Sequence, residues 1–402
     1  MRLLSLPARV GPPIALAVSA AVAAAAAAGC TSDATESGSG GGTSSARSVS
    51  VKAGDKTCAV STTTLPAGRH AFAVENTSSQ VTEVYVYAAG DQIIGEVENI
   101  GPATRRQLIV DLPAGSYQVA CKPGMVGSGI RTGLTVHGQP GSATSSAPAQ
   151  APMVAAVASY RRYVEAETAA LVDTTAAFTA AVKAGNADRA RALYPAARLH
   201  YERIEPIAES FGQLDPVIDM RIDDATDGTP FVGFHRLEQD LWQKKDISSS
   251  AATATALEAN VRKLRAAIPT VAITPVTMGN GAKSLLDEVA KSKVTGEEER
   301  YSRIDLVDFQ ANVEGSKYAY TVLRPILAQR NPALVSTLDR RFATLLALLE
   351  THRATAGSAG SIPGSPFVSY DSLTPAQVKA LAVEVDTISE PLGQITGTLA
   401  GT

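Results

Sequence analysis

The chain has 402 residues, of which 45% are hydrophobic and only 5% aromatic. A chain of this length can form two or three domains with sizeable cores. Its formal net charge is -3 and it contains no long basic run. Because phosphate binding needs a concentrated positive surface, nucleic acid is not expected as a partner.

The N-terminus has the pattern of a lipoprotein signal peptide. A short segment with two arginines precedes an apolar, Ala-rich run over residues 14–28, which Gly29 and Cys30 follow directly. Small residues just before a cysteine are typical of a site where that cysteine is lipidated and becomes the mature N-terminus. The alternative is an ordinary secretory signal with an incidental cysteine. We predict a signal peptide over residues 1–29, a lipid on Cys30, and an extracytoplasmic location at the membrane or in the periplasm.

Composition divides the remaining chain into four predicted segments. Residues 30–47 are rich in Ser and Gly, which predicts a flexible tether. Residues 48–138 contain short alternating or β-branched runs between turn residues, which predict an all-β sandwich. Residues 139–151 predict a linker, because Pro, Ser and Ala dominate them. Residues 152–402 have a helical period and predict an all-α bundle, with an acidic loop over residues 212–231.

Three predicted helices carry an acidic pair at i, i+3 spacing, and one of these pairs includes a histidine. Residues at that spacing share a helix face, so their side chains could converge on one ion. Oxygen ligands with one imidazole suit iron, manganese or zinc. The competing interpretation is a set of salt-bridged surface residues, because such spacing is common by chance. The pairs are Glu202 with Glu205, His235 with Glu238, and Asp305 with Asp308.

The two remaining cysteines, Cys58 and Cys121, lie in the predicted β-domain. In an exported protein they can form a disulfide. They can instead bind metal, with Glu83 and Glu98 completing a mixed thiolate and carboxylate site. Cys121 precedes Met125 in a loop after a late strand, a placement that resembles copper sites of cupredoxins. No histidine lies between the two, which makes a blue copper centre doubtful.

Longer segments resemble a known family. These segments are ARLHYERIEPIAESFGQLDPVIDMRIDD (197–224), FVGFHRLEQDLW (231–242) and YSRIDLVDFQANVEGSKYAYTVLRPIL (301–327). With the export signal, the two-cysteine β-domain and the linker, they resemble the EfeO family, the extracytoplasmic component of EfeUOB-type iron uptake systems. The resemblance implies a cupredoxin-like sandwich and an imelysin-type helical bundle. It also implies capture of iron and transfer to an iron permease and a haem-peroxidase-like protein.

The resemblance further implies two metal sites. His235 and Glu238 match the HxxE motif of the family, Glu202 and Glu205 match its YExxEP segment, and Asp308 is a further candidate. The expected ion is iron, as Fe2+ or Fe3+, with Zn2+ or Cu2+ as alternatives. The second site would comprise Cys58, Glu83, Cys121 and, as a looser match, Glu98.

Two other functions compete with metal capture. A metallopeptidase would need a general base and an open coordination position, and the HExxH signature of many such enzymes is absent. Copper-dependent electron transfer by the β-domain is the second alternative. We expect a metal-binding protein that needs no enzymatic turnover of its own.

Overall fold

The computed structural model describes residues 47–89, 93–138, 147–225, 229–291, 293–355, 357 and 359–400. In these residues a β-sandwich precedes a helical bundle, so the predicted fold class is confirmed. Both parts belong to one compact unit. The predicted signal peptide, Cys30 and nearly all of the tether lie outside the described residues, as do residues 139–146. The exact domain boundaries therefore stay predictions.

Short strands form the sandwich. They are β1 (Arg47–Ala53), β2 (Cys58–Val60), β3 (Thr64–Pro66), β4 (Gly68–Asn76), β5 (Thr82–Tyr87), β6 (Ile93–Ile100), β7 (Arg105–Leu112), β8 (Gly115–Pro123) and β9 (Ile130–His137). One sheet has the strand order β2-β1-β4-β7 and the other β3-β9-β8-β5-β6. Inward side chains of both sheets, such as Phe72 and Val119, share one apolar core.

The pleat of β5 separates two environments. Successive side chains of a strand point to opposite faces of its sheet. Val84 and Val86 therefore lie in the core of the sandwich. Tyr85 and Tyr87 form a separate apolar group on the other face, where their rings stack with centroids 5.2 Å apart. That outer face borders a cavity shared with the helical bundle.

The helical bundle follows the sandwich. Its α-helices in the described residues are α1 (Ala147–Lys183), α2 (Ala187–Glu202), α3 (Leu214–Asp219), α4 (Gly233–Glu238), α5 (Ala251–Ala267), α6 (Pro275–Lys291), α7 (Asp305–Arg330), α8 (Pro332–Glu350), α9 (Pro375–Leu392) and α10 (Gln394–Ala400). Helix α1 packs against α2 and α5, whereas α7 packs against α6 and α8. None of the helices in the described part of the chain combines the length and the apolar composition that a membrane crossing needs.

The acidic segment before α4 is more ordered than its sequence predicted. Residues 212–231 were expected to form a loop, but they contain helix α3 and a short 3-10 turn over Ile222–Asp224. Such short helices do not span enough residues to show a helical period. Helix α2 continues through Pro195 and ends at Glu202, ahead of Pro206.

Helix α6 joins the bundle to the sandwich. The Asn280 side chain donates a hydrogen bond to the carbonyl oxygen of Ile109 in β7, at 2.8 Å. Beside it, Val276 packs against Ile109 and Ala71 in a small buried cluster. At Gly281, helix α6 lies directly against the backbone of Pro206. A Cβ atom at this position would lie only 1.6 Å from the carbonyl oxygen of Pro206, so only glycine fits.

We therefore expect Gly281→Ala to lower the free energy of unfolding by about 1–3 kcal/mol, because the added methyl group overpacks this contact. Urea denaturation followed by circular dichroism measures the change. Gly133→Ala is the matched control, since nothing lies within 4 Å of a Cβ at that position. Equal losses of stability in the two variants would contradict the close approach of α6 to Pro206.

Candidate metal centre

The helical bundle buries a histidine among carboxylates contributed by several elements. His235 and Glu238 lie in α4, Glu202 ends α2, and Asp308 lies in the first turn of α7. The exposed fraction of the His235 side chain is 2%, and the three carboxylates are fully buried. These four predicted residues are therefore buried in one region of the bundle, so the alternative of a solvated surface does not apply to them, whereas their role as metal ligands stays a prediction.

The centre also contains residues that the sequence reasoning missed. Asp219 ends α3, inside the segment that was predicted to be a loop. Glu298 and Glu299 lie in a turn before α7, in a charged stretch typical of protein surfaces. Two buried cations, Arg198 and Lys293, lie among the carboxylates. Of these residues, only Arg198 could have been identified from the sequence. It lies four residues before Glu202, and this spacing places the two side chains on the same helix face.

The two ring nitrogens of His235 have different environments. Its Nδ1 is 3.2 Å from Oε2 of Glu238. The other oxygen of Glu238 accepts hydrogen bonds from the backbone N–H groups of Tyr301 and Ser302, at 2.8 and 2.7 Å. With a proton on Nδ1, the ring donates to Glu238, and the Nε2 lone pair stays free. This is the arrangement by which carboxylates commonly orient metal-binding histidines.

The Nε2 atom of His235 is buried and has no hydrogen-bond partner. It lies 3.5 Å from Oδ1 of Asp219 and 3.8 Å from Oε1 of Glu298. Two donor atoms that share an ion at about 2.1 Å lie roughly 3 to 3.5 Å apart, so a small adjustment would let one ion bind all three. Burial, together with the charge of Arg198, lowers the pKa of His235 to about 3. The imidazole is therefore neutral at physiological pH and available as a ligand.

Two further groups of buried side chains have ligand-like spacing. The first group consists of His235, Glu238 and Glu299. An ion there would need Nδ1 of His235, but this nitrogen already has a hydrogen bond with Glu238. The second consists of Glu202, Glu298 and Asp308. The Arg198 guanidinium contacts all three of those carboxylates. Arg198 also contacts Asp219 and Glu298, so its charge does not by itself separate the groups. The Asp219, His235 and Glu298 group fits an ion best because it contains the unpartnered Nε2 atom of His235.

Arg198 is the main counter-charge of the buried carboxylates. Its side chain is fully buried, and an arginine keeps its proton in proteins. Burial by itself would raise the pKa of Glu202, but Arg198 and Lys293 outweigh that effect and hold the pKa below its usual value. Burial raises the pKa of Glu299 and of Asp308 well above the ordinary range. The contacts of Arg198 are with Glu202, Asp219, Glu298, Glu299 and Asp308.

Glu205 lies at the edge of the centre and pairs with a lysine. Both of its oxygens are 2.8 Å from Nζ of Lys293. The side-chain amide of Asn312 donates to the same carboxylate at 2.6 Å. None of the ligand-like groups among the described residues includes Glu205 or Asp305. The structure thus brings Glu205 near the centre but gives it a different partner.

The centre borders a cavity of about 630 Å³ between the sandwich and the bundle. Asp219 and Glu298 line it, so two of the candidate ligands face this space. Burial raises the pKa of Glu96 to about 8 and that of Asp215 to about 6. The other acidic residues that line the cavity are Glu83, Glu98, Glu205, Glu209 and Glu288.

The predicted mixed site of the β-domain is not assembled. Cys58 and Cys121 form a disulfide inside the sandwich core, so the structure shows the disulfide alternative, in which neither cysteine offers a thiolate to a metal. Glu83 points to the opposite face of β5, where it forms an ion pair with Lys122 at 3.3 Å. Glu98 accepts a hydrogen bond from Tyr85 at 3.1 Å. The strand pleat therefore corrects the prediction, because it separates the cysteines from the carboxylates.

A β-sandwich joined to a helical bundle with a histidine buried among carboxylates defines a two-domain protein with a candidate transition-metal centre. Residues 156–395 match the model of the Imelysin family (Peptidase_M75), and residues 14–136 match a cupredoxin-like domain. The "Iron uptake system component EfeO" proteins of Escherichia coli K12, Shigella flexneri and Shigella sonnei are each 38% identical to this chain over 355 residues. These alignments cover 87% of this chain and 91% of each relative. The chain belongs to the EfeO family, which confirms the resemblance seen in its sequence.

Arg198→Met should lower the free energy of unfolding by about 3–5 kcal/mol, because it leaves buried carboxylates without their counter-charge. Thermal and urea denaturation at pH 7 measure the loss. Arg324→Met is the control, because Arg324 pairs with Asp339 at the surface and such pairs contribute little. If both variants were equally stable, the buried carboxylates would not depend on Arg198.

Asp215→Asn should stabilise the protein at pH 8 and leave its stability unchanged near pH 3. The folded pKa of Asp215, about 6, lies above its ordinary value of 3.8, so its contribution to stability is lost as the pH rises through 6. A neutral amide avoids that loss, worth about 1–3 kcal/mol. Melting temperatures between pH 3 and 8 test this, with Asp188→Asn at an exposed position as the control. A gain for Asp215→Asn that is the same at every pH would contradict it.

Proposed function

We propose that this chain captures an iron ion outside the cytoplasmic membrane and passes it to the other components of an uptake system. Its curated relatives are named as iron uptake components. The observation that carries the proposal is the unpartnered Nε2 atom of His235, which lies 3.5 Å from Asp219 and 3.8 Å from Glu298. A buried imidazole nitrogen between two carboxylates suits a transition-metal cation.

In this proposal His235, Asp219 and Glu298 bind the ion directly. Glu238 orients the imidazole through Nδ1 and makes it a better ligand. Glu202 balances the charge of Arg198 beside the ion, and Asp308 contacts the same guanidinium. Nitrogen and carboxylate donors suit iron, and they also accept zinc, so the identity of the cargo depends on availability as well as on affinity.

The location and the partners of the protein are also proposed. Cys30 would carry a lipid that holds the mature chain at the outer face of the membrane, which the small residues before it support. An iron permease and a haem-peroxidase-like protein would receive the ion, as the family resemblance implies. The oxidation state of iron would then be changed by the partner, so this chain needs no turnover of its own.

The alternative functions have less support in the centre. A peptidase needs a general base, but both oxygens of Glu238 are held, by Nδ1 of His235 and by two backbone N–H groups. Copper-dependent electron transfer needs a thiolate, and the only cysteines among the described residues form a disulfide.

Calorimetric titration of the purified protein with Fe(II), under anaerobic conditions, and with Zn(II) tests the proposed ligands. Asp219→Asn and Glu298→Gln should weaken binding by more than about 100-fold, because each removes a direct ligand. Glu238→Gln should weaken it only about 10–100-fold, because that carboxylate acts through the ring. Glu350→Gln, at an exposed position on α8, should bind as the wild type does.

Unchanged affinity in the Asp219, Glu298 and Glu238 variants would show that the cluster is a structural ion-pair network. Attention would then move to the cavity carboxylates Glu83 and Glu98. Loss of binding in Glu350→Gln as well would show that charge changes act on the whole protein and not through these ligands.

A further inference from the structure

Lys293 is buried among three carboxylates beside the proposed ligands. Only 4% of the residue is exposed, which is rare for a lysine. Its Nζ atom is 2.8 Å from both oxygens of Glu205. The same atom is 3.2 Å from Oε2 of Glu202 and 3.2 Å from Oε1 of Glu298. The ammonium group is therefore a buried cation inside the centre.

The ammonium and the proposed ion share one oxygen atom. Oε1 of Glu298 contacts Lys293, and it is also the oxygen that lies 3.8 Å from Nε2 of His235. An ion about 2.1 Å from that oxygen would lie only a few ångströms from the ammonium. In a buried site two cations at such a separation repel each other, so binding of the ion would weaken the contact of the ammonium with Glu298.

We infer that Lys293 competes with the ion for Glu298 and thereby sets how tightly the centre holds the ion and how fast it releases it. This inference rests on the proposed function. Glu205 offers the ammonium an alternative position, because both of its oxygens already lie closer to Nζ than the oxygen of Glu298 does. Glu205 also lines the cavity, so the displaced ammonium would move toward more open space.

Arg198 is less suited to the same role. It also contacts Glu298, at 3.4 Å, and it touches Asp219. Its other contacts, however, are carboxylates outside the proposed ligand set. If the guanidinium moved away, those buried carboxylates would lose their counter-charge. The remaining contacts that would hold Arg198 in place are with Glu202, Glu299 and Asp308.

The exchange has a consequence for transfer of the ion. Oε2 of Glu298 is paired with Arg221 at 2.9 Å, so the exchange concerns its other oxygen, Oε1. When the ion leaves, the ammonium can return to Oε1 and restore its contact there, which makes release easier than it would be from a site of carboxylates alone. A protein that must pass its cargo on needs such reversible binding.

Zn(II) titration and the rate of Zn(II) removal by a chelator test the inference. Lys293→Met should bind Zn(II) more than about tenfold tighter and release it correspondingly more slowly, because the competing charge is gone. Lys293→Arg, which keeps a cation there, should stay close to the wild type. Lys379→Met, at an exposed position on α9, is the control for loss of one positive charge. A lysine with only a structural role predicts weaker binding in Lys293→Met.

Nuclear magnetic resonance of the wild type covers the case in which Lys293→Met does not fold. With 15N-labelled lysine, the Nζ signal of Lys293, identified by its loss in Lys293→Arg, should shift as one equivalent of Zn(II) binds. Equal or weaker binding by Lys293→Met, or an Nζ signal unchanged at saturation, would overturn the inference alone. If the wild type binds neither Zn(II) nor Fe(II), the proposed function fails together with it.

Discussion

The centre depends on the balance of charge around His235, where carboxylates outnumber the side-chain cations within a buried space. An ionised carboxylate is costly to bury unless a cation or hydrogen-bond donors accompany it. Arg198 and Lys293 supply part of the positive charge that the carboxylates require. Burial also raises the pKa of Glu299 and of Asp308, which favours their neutral form and reduces the counter-charge that they require. What remains is an imidazole nitrogen without a partner, facing Asp219 and Glu298. In the proposed function a metal cation would bind there.

The fold places the centre, with its excess of carboxylates, next to an acidic cavity. The pleat of β5 turns its valines into the sandwich core, whereas Glu83 and Tyr85 line the cavity shared with the bundle. Carboxylates of both domains therefore line one space, into which Asp219 and Glu298 also face. Arg221 and Lys291 also line this space, but acidic residues predominate, and a predominantly acidic cleft with low-dielectric walls concentrates cations. In the proposed function the sandwich would contribute to cation capture through its outer face, whereas its disulfide lies in the core.

Local spacing in the sequence predicted much of the fold and part of the centre. The i, i+3 pairs placed His235 with Glu238 on one helix face, and the change of hydrophobic period separated the sandwich from the bundle. Spacing predicted Glu238 as a direct ligand but cannot show which ring nitrogen a carboxylate holds, and the proposed function instead assigns Glu238 the orientation of His235. Asp219 and Glu298 escaped notice because a one-turn helix and a turn have no period to detect. Lys293 escaped because lysines usually lie at the surface.

The position of the ion relative to the two ring nitrogens of His235 tests the central claim most directly. Crystals of the iron-loaded protein, measured on both sides of the iron absorption edge, locate the ion by its anomalous scattering. The account predicts a single ion about 2.1 Å from Nε2, bound also by Asp219 and Glu298, with Glu238 remaining on Nδ1. An ion on Nδ1, with Glu238 and Glu299 as its carboxylate ligands, would contradict it.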